Sequence, residues 1–140
     1  PVPASDVHPL GASDLEAVTA LYRDGDGTGD RPAFFHPSML RQGTFHGVWE
    51  GGELVSIAGT HVYSRELGIC AVGNVFTRGD RRGRGLGARV TSAVVSQAVR
   101  DGLPTIVLNV GCANPAQRVY ERLGFKPYCE FLEGEAARVA

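Results

Sequence analysis

The stretch Arg82-Gly83-Arg84-Gly85-Leu86-Gly87-Ala88 separates a segment with strand periodicity from a segment with helical periodicity. Ile69–Thr77 precedes it as a predicted strand, and Ala88–Arg100 follows with apolar residues at helical spacing. The first N–H groups of a helix lack intrahelical partners and carry partial positive charge. Glycines let a diphosphate approach the backbone closely, and arginines add charge-assisted hydrogen bonds. The pattern predicts a strand, an anion-binding turn and a helix.

Two other phosphate motifs fail on spacing. The glycines at Gly83, Gly85 and Gly87 are one residue short of the dinucleotide pattern G-x-G-x-x-G, and they follow antiparallel strands instead of opening a βαβ unit. A P-loop needs lysine directly after its last glycine, whereas the single lysine of this chain is Lys126. On this segment alone, a surface turn without a ligand remains an alternative.

Periodicity along the rest of the chain predicts an α+β fold with one central, mostly antiparallel sheet. The predicted strands are Val7–Leu10, Thr44–Trp49, Leu54–Ser64, Ile69–Thr77, Pro104–Val110 and Phe125–Glu133. The predicted helices are Asp14–Arg23, Ala88–Arg100 and Pro115–Leu123. No repeat or linker divides residues 1–140, so we expect a single domain.

Three local expectations accompany these elements. Ser13, followed three residues later by Glu16, predicts a capping box at the start of the first helix. The apolar run within Pro104–Val110 predicts a strand that is buried on both faces. Residues 24–30 imitate the start of a calcium-binding loop, but Phe35 stands where the closing glutamate is required, so we expect a solvated loop.

Composition excludes several classes of protein. Of the 140 residues, 43% are hydrophobic and 21% are charged, and the formal net charge is −1, so no general field attracts nucleic acid or an anionic membrane. No apolar run approaches the roughly 18 residues needed to span a bilayer, and no signal-peptide pattern follows Pro1. Because the sequence starts without methionine, it is compatible with the C-terminal part of a longer chain.

The cysteines point to a reduced compartment. Cys70, Cys112 and Cys129 are odd in number and have neither CxxC nor Cys/His metal-ligand spacing. We therefore expect free thiols in a cytoplasmic protein that holds no metal.

Two motifs resemble the signatures of the GNAT N-acetyltransferase superfamily. Arg82-x-x-Gly85-x-Gly87 resembles its R/Q-x-x-G-x-G/A sequence between the fourth strand and the third helix. Asn114-Pro-Ala116 and Tyr120-Glu-Arg-Leu-Gly124-Phe125 resemble its second signature, although Asn114 lies six residues before Tyr120 instead of the usual seven. Gly73–Thr77 is similar to the strand that contacts the acetyl and pantetheine groups.

The resemblance implies a GNAT-like mixed sheet flanked by helices on both faces, with acetyl-CoA as the acyl donor. Its phosphates would contact the turn residues Arg82, Gly83, Arg84, Gly85, Leu86, Gly87 and Ala88. The backbone of Phe76 and Thr77 would bind the pantetheine arm, and Asn114 and Tyr120 would also contact the cofactor.

Direct transfer of the acetyl group to an amine in a ternary complex is the mechanism implied by the resemblance. A bulge in the fourth strand would free the Val75 N–H for the acetyl carbonyl, and Tyr120 would protonate the leaving thiolate. Ala71 occupies about the position where many relatives carry a glutamate base, so His61 and Glu130 are the candidate bases.

The expected acceptor is a small-molecule or peptide amine. The Phe34–Met39 segment and the Gly25–Asp30 loop would give its site an apolar wall and an acidic rim. The rival hypothesis is a non-catalytic acyl-CoA-binding module, which the missing carboxylate favours and Tyr120 opposes. We expect no nucleic-acid or membrane partner, and a homodimer is compatible with the sequence.

Overall fold

The computed structural model describes residues 7–133 and 136–138. Its strands are β1 (Val7–Leu10), β2 (Phe45–Glu50), β3 (Glu53–Ser64), β4 (Ile69–Thr77) and β5 (Thr105–Leu108). Its helices are α1 (Leu15–Arg23), α2 (Met39–Gln42), α3 (Leu86–Arg100) and α4 (Ala116–Arg122), with 3-10 turns at Ala12–Asp14 and Gly79–Arg81.

The five strands form one mixed sheet in the order β1-β2-β3-β4-β5. Neighbours from β1 to β4 are antiparallel, and short connections suffice to join them. β5 runs parallel to β4, which requires a long crossover, and α3 supplies it. The predicted α+β class with a mostly antiparallel sheet is confirmed.

Helices cover both faces of this sheet. Against one face, α3 packs with Leu86, Val90 and Val94, all almost fully buried. Against the other face, α1 packs with Val18, Leu21 and Tyr22. Strand residues alternate between the two cores, because successive side chains point to opposite faces.

The predicted Ser13 capping box is wrong. The chain forms a 3-10 turn before α1, which moves the reciprocal hydrogen bonds two residues toward the N-terminus. Gly11 N donates to the Asp14 carboxylate at 2.8 Å, and Asp14 N donates to the Gly11 carbonyl at 2.9 Å. Ser13 lies inside that turn.

Two expectations about the C-terminal third are also wrong. The strand β5 is not buried on both faces: its residues alternate between exposed and half-buried. It is the edge strand of the sheet in the described part of the chain. No strand forms over residues 125–133, and residues 126–133 are exposed. Pro127 offers no N–H to a strand ladder at that point.

A bulge interrupts the pairing of β4 with β3, as the resemblance implied. Ile57 pairs with Phe76 and Gly59 with Gly73, so Asn74 and Val75 together lie opposite Ala58. Asn74 adopts a φ of 55°, and it is the one positive-φ residue other than glycine in the described ranges. A bulge of this kind removes two residues from the regular ladder.

Candidate active site

The sheet opens between β4 and β5. Their pairing ends at Val72 and Leu108, whereas β4 continues to Thr77. A cavity of about 260 Å³ lies beside this opening. Its lining comes from the segment before α2, from the neighbouring strands and from the start of α4: Asp30, Pro32, Ala33, Phe34, His61, Val72, Gly73, Asn74, Val75, Leu108, Asn109, Val110, Gly111, Asn114 and Tyr120.

Four predicted site residues meet in this lining, namely His61, Val75, Asn114 and Tyr120. The lining also contains Phe34 and Asp30, from the two segments expected to give the apolar wall and the acidic rim. Val75 falls within the bulge, so it has no partner in the registers of β4 with β3 and β5. A backbone N–H at such a position is available to a ligand that enters the opening.

The glycine turn leads from β4 into α3, as predicted. Gly83 and Gly85 have φ of 80° and 77°, and a Cβ on either would point into open space. Gly85 directly precedes the 15-residue helix α3, whose first N–H groups lack intrahelical partners. Leu86 is 1% exposed and anchors this end of the helix in the core, so only its backbone faces the turn. The turn therefore leaves room for an anion beside these N–H groups.

Two arginines of the turn, Arg82 and Arg84, have side chains that are about half exposed. Arg82 donates to the Asp30 carboxylate and to the Thr77 carbonyl, each at 3.0 Å, and its guanidinium lies over the Phe76 ring. Arg84 lies 3.7 Å from the Glu50 carboxylate. Exposed ion pairs of this kind contribute at most about 1 kcal/mol, so a diphosphate can displace them.

Phe76 and Thr77 present only their backbone for binding. The Phe76 ring is 4% exposed in the core beside α1. The Thr77 hydroxyl hydrogen-bonds the Ser56 hydroxyl at 2.8 Å.

His61 stands at the mouth of the cavity, in a second bulge. Thr60 pairs with Val72 and Val62 with Ala71, which leaves His61 outside the ladder. Its ring covers Gly73, where an added Cβ would lie 2.1 Å from Nε2. Burial lowers the pKa of His61, and the Glu133 carboxylate opposes that shift. The imidazole is therefore neutral at pH 7 and able to accept a proton.

Tyr120 reaches the cavity from α4. Its ring makes an edge contact with Phe125, with centroids 6.3 Å apart. Burial raises the pKa of Tyr120, so the phenol keeps its proton at neutral pH. The Asn114 side chain accepts a hydrogen bond from Ala116 N at 2.9 Å and so starts α4. Its contact with CoA stays a prediction.

The second candidate base lies elsewhere. Glu130 belongs to the exposed segment after Phe125 and is absent from the cavity lining. Ala71 is half-buried in β4 opposite Val107, where it offers no acid–base group. Asp30 is the one carboxylate in the cavity lining, and its hydrogen bond with Arg82 lowers its pKa.

Sequence reasoning missed Tyr22 and Asn74. The Tyr22 hydroxyl donates a 2.7 Å hydrogen bond to the Asn74 carbonyl, inside the bulge. Helical spacing marks Tyr22 only as a core residue, and no local signal pairs it with a residue 52 positions away. An asparagine beside Gly73 in a strand is a local sign of an irregular backbone, in agreement with the bulge that the resemblance implies.

Neither a membrane span nor a metal centre is found among residues 7–133 and 136–138. No helix there is long and apolar enough to cross a bilayer. No group of three or more His, Cys, Asp or Glu side chains is arranged to hold a metal ion there.

Comparison with known proteins decides the family. The model of the GNAT acetyltransferase family matches residues 15–125. The chain belongs to this family. An L-methionine sulfoximine/L-methionine sulfone acetyltransferase from Pseudomonas paraeruginosa is 25% identical over 88% of this chain and 81% of its own.

Solved structures share the GNAT fold. A GNAT-family acetyltransferase from Novosphingobium aromaticivorans superposes with a TM-score of 0.73 and 30% identity over 90% of this chain. This chain spans 55% of the length of that protein. An aminoglycoside N-acetyltransferase solved in complex with CoA has a TM-score of 0.70 and 17% identity, covering 95% of this chain and all of its own.

The turn is tested by Gly85→Asp. The new carboxylate would stand at the N-terminus of α3, where it repels phosphate. We expect CoA to raise the melting temperature of the wild type, because a ligand that binds only the folded state stabilises it. The variant should lose that shift. Gly102→Asp is the matched control, since Gly102 has a φ of 76°, equally open surroundings and a place at the other end of α3. A full shift in Gly85→Asp would refute phosphate binding at this turn.

Proposed function

We propose that this protein is an N-acetyltransferase that moves the acetyl group of acetyl-CoA to a primary amine by direct transfer in a ternary complex. One observation carries the proposal: His61, Val75 and Tyr120 line the same cavity, and Asp30 of that lining pairs with Arg82 of the glycine turn. We further propose that the sequence forms one acetyltransferase domain of a cytoplasmic protein. Its family membership supports acetyl transfer.

Each group has one task in this reaction. The Val75 N–H donates to the thioester carbonyl oxygen, on which negative charge grows as the amine attacks. His61 accepts a proton from the amine nitrogen while the new N–C bond forms and the C–S bond breaks. Tyr120 gives its proton to the departing sulfur. Desolvation that raises the phenol pKa also destabilises a thiolate in the same cleft, so the proton is drawn to sulfur.

The acceptor that fits this cavity best is a small polar amine. Phe34 makes an edge contact with the His61 ring, with centroids 6.3 Å apart, and closes one side of the site. A cavity of about 260 Å³ accommodates a small amine or the end of a peptide. The relatives described above include enzymes named for an amino-acid derivative and for aminoglycosides, which also favours small amines.

Release of CoA thiol from acetyl-CoA across a panel of amines tests this proposal. Thiol release that depends on the amine would support it. The rival, a non-catalytic acyl-CoA-binding module, is favoured by Ala71 at the position expected for a carboxylate. The rival predicts that the protein binds CoA but releases no CoA thiol in response to an amine. That result would refute the proposal that the protein is an enzyme.

Tyr120→Phe tests the proton donor. We expect kcat to fall by about 10²-fold, the usual contribution of a general acid, while the melting shift with CoA persists. Phenylalanine keeps the edge contact with Phe125, so the loss isolates the hydroxyl. Tyr128→Phe is the control, because Tyr128 is 98% exposed. Wild-type turnover in Tyr120→Phe would show that the phenol only packs.

His61→Gln tests the base through pH. A base acts when neutral, so activity should fall as the pH drops through the pKa of His61. Since burial lowers that pKa, the acidic limb of the wild-type kcat/KM profile should lie below about 6.5. The limb should vanish in His61→Gln and persist in the control His8→Gln, which alters an exposed histidine of β1. Superimposable profiles for wild type and His61→Gln would exclude this base.

A further inference from the structure

A buried tyrosine hydroxyl is aimed at the bulge. Tyr22, on α1, is 1% exposed, and its ring lies 5.0 Å from the Phe35 ring and 5.9 Å from the Phe76 ring. Its hydroxyl donates to the Asn74 carbonyl at 2.7 Å. Burial raises the pKa of Tyr22 far above its ordinary range, so this group is a permanent donor.

Asn74 holds the left-handed conformation that the bulge requires. Its φ is 55°, a region that asparagine tolerates better than most residues. Its side chain is 5% exposed, and its Nδ2 contacts the Met39 sulfur at 3.6 Å. The Tyr22 bond therefore acts on a backbone carbonyl that lies outside the β3–β4 ladder.

The Asn74 carbonyl and the Val75 N–H belong to one peptide group. A hydrogen bond accepted by the carbonyl draws electron density from the amide nitrogen and makes the N–H a stronger donor. It also fixes the plane of the peptide, and hence the direction of the N–H. The polarisation and the orientation of the peptide are both stronger in a buried site, because the dielectric constant there is low.

We propose that Tyr22 is a positioning residue for acyl transfer, whose hydroxyl orients and polarises the Asn74–Val75 peptide toward the acetyl carbonyl. The inference rests on the proposed function, since it needs acetyl-CoA in the opening between β4 and β5. It adds to the site a residue of α1 that is buried in the protein core. A tyrosine that served packing alone could be replaced by phenylalanine between the same two rings.

Tyr22→Phe tests this inference, with Tyr63→Phe as the matched control. The Tyr63 hydroxyl also bonds inside the protein, to the Asp101 carboxylate, and Tyr63 lies near the end of β3 remote from the bulge. Both variants lose one hydroxyl and one hydrogen bond. Their comparison separates a general loss of stability from a local effect on Val75.

Two quantities are measured, at a temperature below the melting temperatures of the wild type and of both variants. The first readout compares the change in kcat with the change in the KM for acetyl-CoA. Both are measured with an amine that the wild type acetylates. Loss of an entire oxyanion donor costs about 10²–10³ in kcat, so weakening one that remains should cost about 3- to 10-fold, with little change in KM. The second is the ¹³C resonance of the thioester carbonyl in [1-¹³C]acetyl-CoA, bound without amine, which reports polarisation of that carbonyl.

We expect Tyr22→Phe to lower kcat and to move the bound carbonyl resonance back toward its free position, while Tyr63→Phe leaves both as in wild type. Should Tyr22→Phe fail to fold, site-specific Tyr22→3-fluorotyrosine keeps the ring and strengthens the donor, so the resonance should move further from its free position. An unchanged resonance in a variant that binds acetyl-CoA would overturn the inference and leave the proposed function standing. No bound resonance in the wild type would overturn both.

Discussion

The interruption of backbone pairing in β4 is the constraint on which the site depends. Parallel pairing with β5 ends at Val72, and the bulge at Asn74 and Val75 breaks the antiparallel ladder with β3 just beyond it. Buried backbone groups that lose ladder partners must find others, because an unpaired buried group costs about 1–3 kcal/mol. The Asn74 carbonyl accepts a hydrogen bond from the Tyr22 hydroxyl. Val75 has no partner in either register and lines the cavity beside the opening.

Contacts across the surface tie the loop beside the cavity to the glycine turn. Asp24 accepts a 2.8 Å hydrogen bond from Gly79 N, and Asp30 pairs with Arg82. The loop after α1 is therefore docked on the turn before α3 at two points.

Sequence reasoning was most reliable where the signal is local. The glycine turn with its helix follows from adjacent residues, and four of the predicted site residues do line one cavity. The strand expected over Phe125–Glu133 does not form, and Pro127, which offers no N–H to a ladder, is the physical reason that the apolar pattern conceals. Tyr22 could not be predicted, because its partner is set by how α1 lies across the sheet. Glu130 is a comparable case, since its distance from the cavity depends on tertiary structure.

A crystal structure with acetyl-CoA bound tests the central claim most directly. We expect the diphosphate on the backbone N–H groups of residues 83–88. The pantetheine arm should pass between β4 and β5, and the thioester oxygen should lie within about 3.2 Å of Val75 N. The phenol of Tyr120 should then face the sulfur. A thioester held elsewhere, with Val75 N bonded to another protein group, would contradict the assignment of the bulge as the site of acyl transfer.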